Sequence, residues 1–171
     1  ERYGPETELG RRRTTIEEAA PAREIPLEAM IEREPITVIL SQRGWIRAMK
    51  GHAALADTET AKFKEGDGPW LAFHAQTTDK LLLAADNGRF YTLAADKLPG
   101  ARGFGEPVRL MVDIENDAQL MALMPAQAGM KLLLAAGDGR GFVAQAEEIL
   151  AETRKGRQVV NLKGDAKLKV V

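Results

Sequence analysis

Lys80 to Phe90 reads KLLLAADNGRF and Lys131 to Gly141 reads KLLLAAGDGRG, identical at 8 of 11 positions and offset by 51 residues. In each copy an apolar run meets Asn87-Gly88 or Asp138-Gly139, the kind of pair that a two-residue β-hairpin favours because its turn needs positive φ. A weaker third copy comes first. In Ile36 to Met49, ITVILSQRGWIRAM, Arg43-Gly44 holds the turn position between an apolar run and a run carrying Arg47. Gly44, Gly88 and Gly139 are 44 and then 51 residues apart, the interval of repeated four-stranded sheets arranged as in a propeller. The repeat therefore predicts an all-β fold of successive hairpins.

Further strands are predicted at Trp70 to Ala75, Val108 to Val112, Leu120 to Met124 and Gln158 to Leu162, about four per repeat. Leu81 to Ala85 and Leu132 to Ala136 do not alternate, which predicts strands covered on both faces. Their partners are amphipathic and begin with a cation just past the turn: Arg89, Tyr91 and Ala94 in one copy, Arg140, Phe142 and Ala144 in the other. If the turns lie at a rim, so do these arginines. Residues 1–35 read differently, with Arg11-Arg12-Arg13, Thr14 and Thr15 as caps, and Pro21 and Pro26 as breaks. That segment is expected to be a tail or linker of short helical turns, with the β domain spanning 36–171.

Several chemistries fall away. The chain has no cysteine, hence no disulfide framework, thiolate metal site or cysteine nucleophile. Ser41 is its single serine, and His52 and His74 fall in a loop and a predicted strand, so no catalytic triad can be assembled. The 22-residue spacing of the two histidines matches no helix-borne zinc motif. Gly137 to Gly141 invites a nucleotide-binding reading, but the third glycine and the later acid of that fingerprint are missing, and the sister copy keeps the strand and turn without the extra glycines. Trp45, Trp70 and the methionines Met111, Met121, Met124 and Met130 are assigned to packing. No run of roughly 18 to 20 apolar residues is available to cross a bilayer, and Glu1 to Pro5 lacks a signal-peptide core, so no membrane association and a cytoplasmic, nucleoid-associated location are expected.

Charge is segregated. The chain holds 24 Lys plus Arg against 25 Asp plus Glu, but residues 1–35 take 6 basic and 9 acidic side chains, leaving 18 and 16 beyond. That balance suits a polyanion only if the basic residues share a face.

Three segments carry a family resemblance, in order: EREPITVILSQRGWIRAMKGH at 32–52, DKLLLAADNGRFYTLAADKLPGARGFGEPVRL at 79–110 and GRGFVAQAEEILAETRKGRQVVNLKG at 139–164. They resemble the C-terminal DNA-binding domain of bacterial type IIA topoisomerase A subunits, topoisomerase IV more than gyrase. YGPETELGRRRTTI at 3–16 looks like an altered end of the same subunit's breakage-reunion region. The resemblance implies a β-pinwheel, a propeller-like ring whose blades exchange strands and whose outer edge bends duplex DNA. Residues 36–171 hold about two complete blades and parts of others, a partial pinwheel whose open edges invite self-association. Gyrase subunits carry a wrapping box of a glutamine, two arginines, two glycines, a lysine and a glycine after the first hairpin. Here that place reads Gly51-His52-Ala53-Ala54-Leu55-Ala56-Asp57, without the box, and Ala101-Arg102-Gly103-Phe104-Gly105-Glu106-Pro107 resembles a degenerate later version.

The implied role is non-sequence-specific binding and bending of double-stranded DNA for the catalytic core of the parent topoisomerase and its ATPase subunit. ATP and magnesium would act through other regions, and no cofactor is expected for these residues. Neither Tyr3 nor Tyr91 matches the family's DNA-cleaving tyrosine, so no catalysis is expected of this stretch. The candidate phosphate contacts, at the turns and in the loops that follow, are Arg43, Arg47, Lys50, Arg89, Lys97, Arg102, Arg140, Arg154, Lys155, Arg157 and Lys163. Glycines beside them would let backbone amides approach phosphate. The other reading of the same repeats is a propeller-like protein interaction module that does not retain DNA.

Overall fold

The three turn glycines take the left-handed backbone that their hairpins require, with φ of 80° at Gly44, 77° at Gly88 and 84° at Gly139. In this computed structural model the described residues are 4, 6–8, 10, 27–59 and 61–171. The chain divides into two compact units, residues 1–30 and 31–171. In the first, the Thr7 hydroxyl donates to the Gly4 carbonyl at 2.8 Å and accepts from the Gly10 N–H at 3.2 Å, and Leu27–Met30 forms one turn of 3₁₀ helix. Arg11 to Arg13, Thr14, Thr15, Pro21 and Pro26 lie outside the described residues.

Residues 32–34 are held to the second unit by hydrogen bonds. The Thr77 hydroxyl donates to the Glu32 carbonyl at 2.5 Å and accepts from the Glu34 N–H at 2.9 Å, and the Thr77 N–H donates to the Glu34 carbonyl at 2.9 Å. These bonds sew residues 32–34 onto the β domain.

That domain contains, in order, β1 (Pro35–Ser41), β2 (Trp45–Lys50), helix α1 (Leu55–Glu59), β3 (Pro69–Gln76), β4 (Lys80–Ala85), β5 (Arg89–Ala94), β6 (Glu106–Pro107), α2 (Val108–Met111), β7 (Leu120–Pro125), β8 (Lys131–Ala136), β9 (Gly141–Gln145), α3 (Ala146–Ile149), β10 (Arg157–Gln158) and β11 (Leu168–Val170). They form three antiparallel sheets, ordered β3-β1-β2-β6, β10-β5-β4-β7 and β11-β8-β9. Strand order and chain order disagree in an informative way. β6 follows the β4–β5 hairpin yet closes the first sheet, pairing Ile46 with Glu106 and Trp45 with Pro107. β10 follows the β8–β9 hairpin yet closes the second, pairing Phe90 with Arg157 and Arg89 with Gln158. The first and second sheets are thus each completed by a strand supplied after the next hairpin, and neighbouring sheets interlock. Among the described residues no such strand covers β9.

The two apolar cores explain the burial of the repeats. Leu81, Leu83, Tyr91 and Leu93 face one way, into a cluster with Ile36, Val38, Leu40 and Ile46 of the first sheet. Leu82, Ala84 and Phe90 face the other way, toward Leu132, Leu134 and Leu168 of the third and Ile149 of α3. With period-two alternation, a strand between two cores must be apolar at every position, and β4 is buried from Leu81 onward. The sister run β8 departs from the expectation. Leu132 and Leu134 are buried but Leu133 is 55% exposed, because only one face of β8 meets a neighbouring sheet among the described residues.

Two predicted strands are corrected. Val108 to Val112 is a single helical turn, α2, that starts behind Pro107 and ends with the Val112 N–H donating to the Val108 carbonyl at 3.1 Å. One helical turn buries Val108 and Val112, four residues apart, against the same core and leaves Leu110 exposed. Gln158 to Leu162 shrinks to the two-residue β10, since the Val159 and Val160 N–H groups both turn onto the Gly88 carbonyl at 3.1 Å. The methionines pack as expected, Met111 on the first core and Met121, Met124 and Met130 on the second. Trp70 does not, remaining 39% exposed.

One ion pair ties the second sheet to the third. Asp86, at the end of β4, accepts from the Gln119 N–H at 2.8 Å and from Lys167 Nζ at 2.6 Å, while its carbonyl accepts from the Leu168 N–H at 2.8 Å. Burial alone would push the carboxyl up, but Lys167 and the Gln119 N–H together hold it below the ordinary aspartate value, and Asp86 in turn raises Lys167. A depressed acid stabilises the fold fully above its unfolded pKa of about 3.9 and loses that contribution as pH falls through the folded value. A raised lysine stabilises fully below about 10.4 and loses it as pH rises. Thermal melts should therefore show a midpoint that drops below about pH 4. Asp86→Asn should melt lower than the parent at pH 7 and show a shallower acid fall; equal acid slopes would remove Asp86 from the account.

Candidate nucleic-acid interface

The strands supplied to the first and second sheets arrive on straps with a common local design. Before β6, the Ala48 N–H donates to the Pro99 carbonyl at 2.8 Å, and the chain then runs along β2 to Gly105. Gly105 has φ of 83°, and a Cβ there would sit 2.2 Å from the Ile46 carbonyl oxygen. Before β10, Gly156 has φ of 67°, and a Cβ there would sit 2.4 Å from the Phe90 carbonyl oxygen. Ile46 and Phe90 each stand two residues past their turn glycine, so both straps press a left-handed glycine onto the same register position. Beneath the straps lie the residues that follow, Arg47 and Tyr91. The equivalent Phe142, on the uncovered β9, is 43% exposed.

The straps bring basic residues to these edges. Arg102 and Lys50 line an open groove of about 720 Å³ between β2 and the first strap, with Glu106 also on its wall. Lys50 Nζ lies 3.6 Å from the Glu34 carboxylate, an exposed pair worth little in water. The second strap carries Arg154, Lys155 and Arg157. Arg154 Nη2 donates to the Leu110 carbonyl at 2.5 Å, Arg157 Nη1 to the Glu148 carbonyl at 2.6 Å, and Arg89 Nη1 to the Lys155 carbonyl at 2.9 Å. A carbonyl anchor orients a guanidinium without cancelling its charge, and each retains further donors from its five N–H groups. Arg154 also has the Asp113 carboxylate at 3.8 Å, again exposed.

The remaining candidates are dispersed. Arg43, Arg89 and Arg140 stand at the hairpin-turn ends of the sheets, whereas Lys50 ends β2 and Lys97 follows β5, at the far ends of those strands. Lys163 is exposed beyond β10. Arg140 is paired with Asp138 through Nε at 2.9 Å and through a second, shorter Nη2 bond. The arginine holds the Asp138 carboxyl below its ordinary value, and the carboxylate raises Arg140. Arg43 lies beside Asp67, which accepts its N–H at 3.0 Å. Burial tends to raise the Asp67 carboxyl, but the Ser41 hydroxyl, the Gly68 and Arg43 N–H groups and the Arg43 charge together lower it. Arg47 runs against expectation: only 4% exposed, it lies under the first strap, with Nη1 donating to the Gly103 carbonyl at 2.6 Å.

Sequence reasoning passed over Lys62 and Lys64. They alternate with Phe63 before Gly66, and Lys64 Nζ lies 3.6 Å over the Trp45 ring. Cations interleaved with an aromatic residue were the available signal. Gly51 to Asp57, where a wrapping box would stand, is tied down instead. The Thr37 hydroxyl donates to the Gly51 carbonyl at 2.8 Å and accepts from the Ala53 N–H at 2.9 Å. His74 Nε2 meets the Ala53 carbonyl at 2.7 Å, and the His52 and His74 rings stack with centroids 4.5 Å apart. Among the described residues no group of three or more metal-ligating side chains occurs, and no helix is long and apolar enough to cross a membrane.

No family model matches the chain. It is 51% identical over 136 residues to the A subunit of DNA topoisomerase 4 from Caulobacter vibrioides, covering 80% of this chain and 18% of that protein. It is 39% identical over 162 residues to the corresponding protein of Rickettsia felis, covering 94% of this chain and 22% of that one. The chain thus spans about a fifth of the length of the curated relatives it matches. Among solved structures it superposes on the E. coli ParC C-terminal domain with a TM-score of 0.74 and 31% identity, over 79% of this chain and 54% of that one. It shares its fold with a C-terminal domain of DNA topoisomerase IV at a TM-score of 0.68 and 18% identity, over 81% and 45% of the two chains. Over most of its length, then, the chain is a homologue of DNA topoisomerase 4 A subunits, with the strand-exchanging β-pinwheel fold of their C-terminal domains.

Proposed function

We propose that this domain binds duplex DNA through its strap edges without reading sequence, bends it, and presents it to the catalytic core of a type IIA topoisomerase that works with a separate ATPase subunit. The observation that carries this reading is the pair of straps: the first sets Arg102 beside Lys50 in an open groove, and on the second Arg154 and Arg157 are anchored on carbonyl groups that leave their charge available. Homology to topoisomerase IV A subunits supplies the biological context. Bending 20 to 30 base pairs by tens of degrees costs on the order of 1 to 6 kcal/mol, which contacts to phosphate must offset. Such contacts carry no base information, so affinity should be indifferent to sequence.

Gel-shift titration on two linear duplexes of unrelated sequence tests this at about 50 mM salt, where counterion release still favours binding. Equal retention of both duplexes is expected. Absence of retention would favour the protein interaction module instead.

A further inference from the structure

Among the described residues Arg47 is a charge without a counterion. It is 4% exposed, its Nη1 is committed to the Gly103 carbonyl at 2.6 Å, and the Phe63 ring lies 5.1 Å from Cζ. Nη2 is buried with no hydrogen-bond acceptor, and none of the ion pairs among the described residues involves Arg47. Buried guanidinium groups persist when a carboxylate pairs with them or acceptors take up their donors. The packing does not demand a cation here, because the equivalent positions on β5 and β9 are Tyr91 and Phe142.

Beside Arg47 lies a cavity of about 260 Å³ whose walls include Lys62, Met49, Phe104 and the Ala101 and Gly103 segment of the strap. Among the described residues no carboxylate lines it, and Lys62 gives it a second cation. We propose that this cavity is a binding site for one tetrahedral oxyanion, inorganic phosphate or a phosphodiester. One oxygen accepts from Arg47 Nη2 and another faces Lys62. The phosphodiester source rests on the duplex-binding reading above, whereas free phosphate does not.

Because Nη2 is sealed from solvent, a wall has to yield as the anion enters. Phe104 is that wall. It is 43% exposed and lies between Gly105, pinned against Ile46, and Gly103, which has φ of 102° and open space where a side chain would stand. The strap can therefore pivot at Gly103 while remaining anchored at Gly105.

The test uses the whole chain with two substitutions. Arg47→Lys keeps the charge but loses the second donor arm, and Lys62→Gln alters an exposed side chain. Inorganic phosphate, exchanged for chloride at constant ionic strength, should raise the melting midpoint of the parent saturably. Each variant should need at least tenfold more phosphate for the same rise. On duplex DNA, Lys62→Gln should lower the log-log salt slope by about 0.9, one phosphate contact. A phosphate effect with an unchanged slope supports the site and assigns it to the free anion. No phosphate effect in the parent, together with an unchanged slope in Lys62→Gln, overturns it. Should the parent fail to hold duplex at all, the proposed function falls and the phosphate melts alone decide the cavity.

Discussion

Reversing the strap charges together, as Arg102→Glu, Arg154→Glu and Lys155→Glu, should lower duplex affinity by on the order of a thousandfold or more at low salt. Each charge-assisted contact to phosphate is worth roughly 1.5 to 3 kcal/mol, and reversal adds repulsion. All three residues are exposed and none belongs to either apolar core, so the melting midpoint should stay within a few degrees of the parent. Arg140→Glu serves as the contrast. Its guanidinium already lies against Asp138, so the charge it offers a phosphate is partly cancelled and its reversal should cost much less. Gel shifts of the triple and single variants side by side read the difference. Equal losses from the two would show that position on a strap confers nothing.

The second large effect is on stability. Gly105→Ala and Gly156→Ala each force a Cβ to within 2.2 and 2.4 Å of a backbone carbonyl oxygen, at φ of 83° and 67°. Left-handed backbone costs a residue with a side chain about 1 to 2 kcal/mol, and the overlap with a main-chain oxygen cannot be relieved by a rotamer change. A loss of about 3 kcal/mol or more is expected for each, or roughly 10 °C in melting midpoint for a domain of this size. Because β6 and β10 bind the sheets to one another, the strap should detach and the duplex affinity of its cations should fall with it. Gly129→Ala is the control, since a Cβ there meets nothing within 4 Å. Equal destabilisation at all three positions would deny the straps their structural part.

Much of the architecture was legible in the primary structure because it is local. The turn pairs at Gly44, Gly88 and Gly139 set three hairpins, and the apolar run from Leu81 to Ala85 announced a strand between two cores. What escaped was long-range. Nothing in Arg157-Gln158 announces that it pairs with β5 across more than sixty residues, and Leu132 to Ala136 repeats Leu81 to Ala85 while facing a neighbouring sheet on one side only. Val108 to Val112 looked like a strand by composition. Burial of Val108 and Val112 on one core decided for a helical turn instead.

The candidate interface was legible in part. Residue type and turn proximity single out Arg102, Arg154, Lys155 and Arg157 together with Arg140, and do not separate guanidinium groups anchored on carbonyls from one whose carboxylate neighbour lies two residues away in sequence. Arg47 follows its hairpin turn as expected, yet the first strap folds over it.

If the strap cations grip the sugar-phosphate exterior of a duplex, each contact contributes to the salt dependence of binding. The decisive quantity is the slope of log affinity against log salt, measured for the parent and for the neutralised Arg102→Gln, Arg154→Gln, Lys155→Gln variant. Each lost phosphate contact removes about 0.9 from the slope, so the variant should be shallower by about 2.7. Two parallel lines would mean that the strap cations do not touch phosphate.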